Sequence, residues 1–145
     1  MCIRDSSSSC GAPIAELHGP ADAIGVAVYR SSLYVTSGVS GTNGVVSVYD
    51  IAHCHAGNTS GCGPALATVA VADIPVGVAV DSATGSLFVG NVADHVDVLN
   101  LTSCRRGDRS GCSSAVVGSI PAKNGPVFPT LDARHRTLYL SLIHI

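Results

Sequence analysis

Two short stretches, "SVYDI" at 47–51 and "DVLNL" at 97–101, alternate polar and apolar residues. Alternation with a period of two puts one face of an extended chain on a core and the other toward polar surroundings, so both predict half-buried β-strands. "GVAV" occurs at 25–28 and again at 77–80, apolar throughout. That is the pattern of an innermost strand covered on both faces. Around its second copy four strand-like runs can be marked off, 77–80, 86–90, 95–101 and 115–119, with Gly, Asp, Asn and Ser between them. The segment "DSATG" at 81–85 predicts a tight turn, because Asp bonds its own backbone and Gly accepts a positive φ.

The pattern repeats. "IGVAVYRSSLYVTSG" at 24–38 returns as "VGVAVDSATGSLFVGN" at 76–91, and more loosely as "VFPTLDARHRTLYLS" at 127–141. "GVVSVYDIAHC" at 44–54 is answered by "DHVDVLNLTSC" at 94–104. Cysteine intervals agree, 52 residues from Cys10 to Cys62 and 50 from Cys62 to Cys112. Helical solenoid units would show 3.6-residue periodicity, whereas short strands repeating every ~40–50 residues predict propeller blades. A β-sandwich with irregular strands is the alternative. The expected fold is therefore all-β: a β-propeller fragment of four-stranded antiparallel blades, about two of them complete, with partial neighbours. The blades divide at 21–71 and 72–120, with the end of a preceding blade at 7–20 and the start of a further one at 121–139. "MCIRDS" at 1–6 and "LSLIHI" at 140–145 resemble translated sequencing-adapter tails of assembled metagenomic reads, which would make the chain a cut piece of a longer one.

"SLYVTSG…GVVSVYD" and "SLFVGN…DHVDVLN" resemble the YVTN-type β-propeller repeat, built on a D-x-x-T-G turn, Y-V-x-N and V-S-V-I-D. The resemblance runs from Ile14 to Tyr139 and implies a bacterial protein whose ligand sites cluster on one face around a central channel. Two positions depart from the pattern. Tyr29 stands where the turn Asp is usual, and Pro129 falls in the third unit's inner strand, where it removes a ladder donor and predicts irregular pairing or an edge. Such folds host many functions, so the resemblance speaks to fold more than to activity.

Composition narrows the function classes. Hydrophobic residues make up 46% of the chain and charged ones 12%, Trp is absent, and the net charge is −2. Nucleic-acid binding needs clustered cations, and the nearest cluster, Arg105, Arg106 and Arg109, sits beside Asp108 and reads as a solvated loop. No run of ~18 apolar residues is present, so no transmembrane segment is expected.

The cysteines carry more. Cys54 and Cys62 are eight residues apart, and so are Cys104 and Cys112, each pair between the third and fourth strands of its unit. Two histidines flank the first pair, yet His53 and His55 become Ser103 and Arg105 in the second. Of the candidate metal ligands only the sulfurs persist, and C-x7-C is not the short knuckle of a zinc site, so the pairs predict local disulfides. Disulfides persist in oxidising compartments, which predicts an extracellular, periplasmic or cell-surface protein. Cys2 and Cys10 are spaced alike, although Cys2 falls in the adapter-like stretch.

Strand alternation also sorts the loops. Turns between strands one and two share an end of the molecule with the cysteine loops; links between blades and between strands two and three share the other. On that second end lie Asp22, Asp73 and Asn124, which precede inner strands, and Asn43, Asn91 and Asp94, which lie between strands two and three. They serve either as turn caps or as a rim of oxygens for a cation or polar ligand. G-x-S-x-G, H-E-x-x-H, P-loop and dinucleotide motifs are missing, His18, His95 and His135 occupy unrelated repeat positions, and no cofactor is expected. Asn58 and Asn100 begin glycosylation sequons. The expected function is a non-enzymatic binding or interaction scaffold for a polar ligand or protein, completed by the missing blades of its parent chain. The alternative is a propeller-fold enzyme, a lactonase-like hydrolase or lyase, with its site at the channel.

Overall fold

In the computed structural model, residues 13–142 are described, except 14, 39, 40 and 42. The question of a Cys2–Cys10 pair falls outside them. The alternating segments form strands as their period requires, giving β1 (Ala23–Tyr29), β2 (Ser32–Ser37), β3 (Gly44–Asp50), β4 (Ala67–Val71), β5 (Pro75–Asp81), β6 (Ser86–Asn91), β7 (His95–Asn100), β8 (Val116–Pro121), β9 (Pro126–Asp132) and β10 (Thr137–Leu142). The strand runs expected around the second copy of the repeat are found to within two residues at each end. One 3₁₀ turn, Cys112–Ser114, interrupts the path from β7 to β8.

Pairing follows chain order. Two four-stranded antiparallel sheets, β1-β2-β3-β4 and β5-β6-β7-β8, are followed by the hairpin β9–β10. First strands stack, β1 against β5 and β5 against β9. The core lies between the two sheets: Tyr29, Tyr34, Val46, Val48, Val69 and Val71 from the first meet Leu87, Val89, Leu99 and Leu101 from the second.

A defect in the ladder recurs at the same place in each unit. The register slips between Ala23 and Val26 in β1, and between Pro75 and Val78 in β5. In β9 it slips between Pro126 and Phe128. Two residues of the first strand thus oppose one of the second, which is a β-bulge. A bulge frees a carbonyl from its own ladder, and here that carbonyl turns toward the preceding sheet. A Cβ added at Gly25 would run into the Val76 carbonyl, and one at Gly77 into the Val127 carbonyl. Glycine is needed at both places because another backbone occupies the side-chain position.

Of two expectations about inner strands, the first needs revision and the second holds in its edge form. β5 is half-covered along Val76, Val78 and Val80, but the equivalent residues of β1, Ile24, Val26 and Val28, are exposed, Val26 by 65%. What covers β5 is the sheet in front of it, and among the described residues no sheet stands in front of β1. Pro129 does not disturb β9, because Leu131, Thr130, Pro129 and Phe128 pair in unbroken register with Leu138, Tyr139, Leu140 and Ser141. β9 pairs on one side only among the described residues, the edge position that proline tolerates. Leu140–Leu142, from the adapter-like stretch, form the last part of β10.

Candidate functional site

Both predicted disulfides are formed, Cys54–Cys62 and Cys104–Cys112, with Cα atoms 4.8 and 4.6 Å apart. They close loops with one hydrogen-bonding scheme. His55 bridges Asn58, and Arg105 bridges Asp108. The Asn58 and Asp108 Oδ1 atoms each accept from the N–H and hydroxyl of the serine two residues on, Ser60 and Ser110. Gly61 lies against His53 and Gly111 against Ser103. The shared pattern is C-x-x-G-N/D-x-S-G-C, so Gly57, Asn58, Ser60 and Gly61 persist alongside the sulfurs. His55 Nδ1 accepts from the Gly57 N–H, and no group of three His, Cys, Asp or Glu able to hold a metal occurs among the described residues. Two such bridges fit an oxidising, extracellular-type environment.

The second loop has a further role that the sequence did not signal. It docks on the first sheet. The Tyr34 hydroxyl donates to the Cys104 carbonyl at 2.8 Å, the Arg106 N–H to Ser32 Oγ at 2.7 Å, and the Arg106 guanidinium to Asp50 at 2.9 Å. Two residues further along β2, the Thr36 hydroxyl donates to the freed Val76 carbonyl at 2.8 Å. Ser32, Tyr34 and Thr36 alternate along β2 and form a hydroxyl stripe that clamps the next sheet. Cys104 is accordingly 1% exposed, while Cys54 and Cys62, with no sheet in front among the described residues, remain half-buried. Arg106, read from sequence as part of a solvated loop, is a link between sheets, although its exposed ion pair contributes little by itself. Desolvation works to raise the Asp50 carboxyl, but the Ala52 N–H and the Arg106 guanidinium outweigh it and hold it below the ordinary range.

Burial pushes the Tyr34 phenol up to about 12, against a smaller opposite pull from Ser32. An unfolded tyrosine ionises near 10. Since the folded state holds the protonated form, this stabilisation is complete below pH ~10 and is lost as pH rises toward 12. Tyr34→Phe is expected to lower stability by about 1–2 kcal/mol at pH 7, because it leaves the Cys104 carbonyl buried without its donor. It should also flatten the alkaline fall. Urea unfolding at pH 7 and 11 checks both.

At the opposite end of the sheets stand the six residues expected to rim a ligand site. Asp22, Asn43, Asp94 and Asn124 are exposed, Asp73 is half-buried and Asn91 fully buried. Asp73 Oδ2 accepts from the Gly41 N–H at 3.2 Å, and Asp94 Oδ1 from the Gly125 N–H at 3.0 Å. Each carboxylate thus ties a strand-two-to-three loop to the following inter-sheet link. Asp22 and Asn124, like Asp94, have positive φ, near 60–67°, a conformation Asp and Asn tolerate in turns. Asn91 differs in kind: its amide donates to the Val89 and His95 carbonyls and to Asp97, whose carboxylate also takes the Ala72 N–H. Asp73 Oδ1 and Asn91 Oδ1 are buried without a partner among the described residues. His95 turns to Ala93 and Asp97, and His135 to Asp132, while the carbonyl of His18 takes the Tyr49 hydroxyl. The three histidines do not converge. Asn100, at a sequon, holds the N–H and hydroxyl of Thr102.

No family model matches the chain, and no curated protein is detectably similar to it. No helix among the described residues is long and apolar enough to cross a membrane.

Proposed function

We propose that the two sheets and the hairpin are successive blades of a YVTN-type β-propeller from a bacterial extracytoplasmic protein, and that the assembly is a non-catalytic scaffold for binding a polar ligand or a protein. One observation carries this reading. The contact joining the first unit to the second, a glycine against the carbonyl freed by the next unit's bulge, also joins the second to the third. A contact that recurs in the same sense from unit to unit generates a ring or superhelix, and closed β rings of four or more such sheets are propellers.

The scaffold reading rests on the work the acidic residues already do. Asp73 and Asp94 support loops, and the buried Oδ1 atoms of Asp73 and Asn91 have no partner among the described residues. Assaying the protein against lactones and esters with Ca²⁺, Mg²⁺, Mn²⁺ and Zn²⁺ tests it. Wild type and Asp73→Ala are both expected to run at the rate of buffer, and the substitution to change stability by ~1 kcal/mol or less, since it removes one exposed hydrogen bond and one buried orphan together. Metal-dependent hydrolysis that disappears in Asp73→Ala would overturn the scaffold reading in favour of the enzyme.

A further inference from the structure

The clamp on β2 has a second copy that holds no other sheet among the described residues. Aligned by their pairing with the inner strand, Ser32, Tyr34 and Thr36 of β2 correspond to Thr137, Tyr139 and Ser141 of β10. All three hydroxyls recur. In the intervening unit only one does, since Phe88 and Gly90 replace the other two. Yet Tyr34 is 1% exposed and Tyr139 is 60% exposed. Tyr34 is covered by a disulfide loop, and the Cys54–Cys62 loop shares that loop's hydrogen-bonding scheme and lies open at the far end. Beside it is the exposed apolar face of Ile24, Val26 and Val28, the repeat equivalent of the β5 face that the first sheet covers.

We propose that a second copy of this chain docks head to tail across these two surfaces, its first sheet and Cys54–Cys62 loop seated on the β9–β10 hairpin. The proposal rests on the repeat reading above and continues the interface between the two sheets. Tyr139 would donate to the Cys54 carbonyl, Ser141 to the Ile24 carbonyl, and the Ala56 N–H to Thr137, position for position with the clamp inside the chain. The interface is heterologous, so it propagates into rings or open chains. One residue departs from the pattern: Phe128 stands where Gly25 and Gly77 admit a neighbouring carbonyl. Its side chain holds the incoming strand off and keeps the association weak.

Sedimentation velocity tests this with two variants on exposed faces. Val26→Asp blocks the leading face and Tyr139→Asp the trailing one. Wild type is expected to form larger species as concentration rises, and each variant to stay monomeric, at least about tenfold weaker in self-association, because each buries an unpaired charge. Mixed in equal amounts they should form a one-to-one dimer through the two intact faces. Phe128→Gly should tighten wild-type association by about tenfold, the size of one well-packed contact, and Tyr139→Phe, which deletes only the hydroxyl, should weaken it. A wild type monomeric at every concentration, a mixture that stays monomeric, or a Val26→Asp protein that associates as wild type does would overturn the docking. Thermal melting of Tyr34→Phe in the same samples separates that failure from failure of the repeat reading. A lowered Tm shows the internal interface intact; an unchanged one removes the repeat reading as well.

Discussion

Serine at both Cys104 and Cys112 is expected to lower the free energy of unfolding by about 3–5 kcal/mol, and the same change at Cys54 and Cys62 by about 2–3 kcal/mol. Both bridges span eight residues, so loop-closure entropy alone makes them equal. The difference comes from what each loop touches. Cys104 and Cys112 belong to the core between the sheets, and the Cys104 carbonyl takes the Tyr34 hydroxyl. Freeing that loop therefore loosens an interface, whereas freeing the half-buried first loop loosens only the end of its own sheet. Urea unfolding of the two double variants gives the comparison. Equal losses would show that the second loop does not clamp the first sheet.

Gly25→Val is the second large effect, with an expected loss of about 3 kcal/mol or more. The new side chain would have to share space with the Val76 carbonyl and with the Thr36 hydroxyl, 2.8 Å from an added Cβ. The Gly25 N–H also donates to that hydroxyl. Overpacking of a tight core usually costs 1–3 kcal/mol. Here the obstruction is backbone, which cannot rotate aside, and relief requires moving two sheets apart. Gly118→Ala in β8 is the control, since a Cβ there meets nothing within 4 Å, and a slight gain of about 0.5 kcal/mol is expected from reduced freedom of the unfolded chain. Thermal melts of both settle the sign and the order.

How much of this was readable in advance depends on distance along the chain. The strands of the second unit came out nearly as drawn because their periodicity is local, and both disulfides did because eight-residue spacings recur. The loop motif that contains them was equally legible, in Gly57, Asn58, Ser60 and Gly61 against Gly107, Asp108, Ser110 and Gly111. The hydroxyl stripe was not. Ser32, Tyr34 and Thr36 look like an ordinary strand, and their partners lie 40 to 74 residues away. Burial of β1 was misjudged for a related reason: an apolar strand states that it wants cover on both faces, and only tertiary structure says whether cover is there. Of the six rim residues, Asp73 and Asp94 turned out to be loop ties, which their Asp-in-turn setting allowed for. The burial of Asn91 had no such signal.

All of this depends on a fifty-residue β unit that grips its predecessor through an inner-strand bulge and a disulfide loop. A double-mutant cycle combining Tyr34→Phe with serine at Cys104 and Cys112 addresses that grip directly, since the two sites are joined by one hydrogen bond across the sheets. Measured by urea unfolding, Tyr34→Phe should cost about 1–2 kcal/mol with the loop closed and close to nothing once it is opened, a coupling of the same size. Strictly additive losses would mean that tyrosine and loop do not meet, and that the sheets are not held as successive copies of one unit.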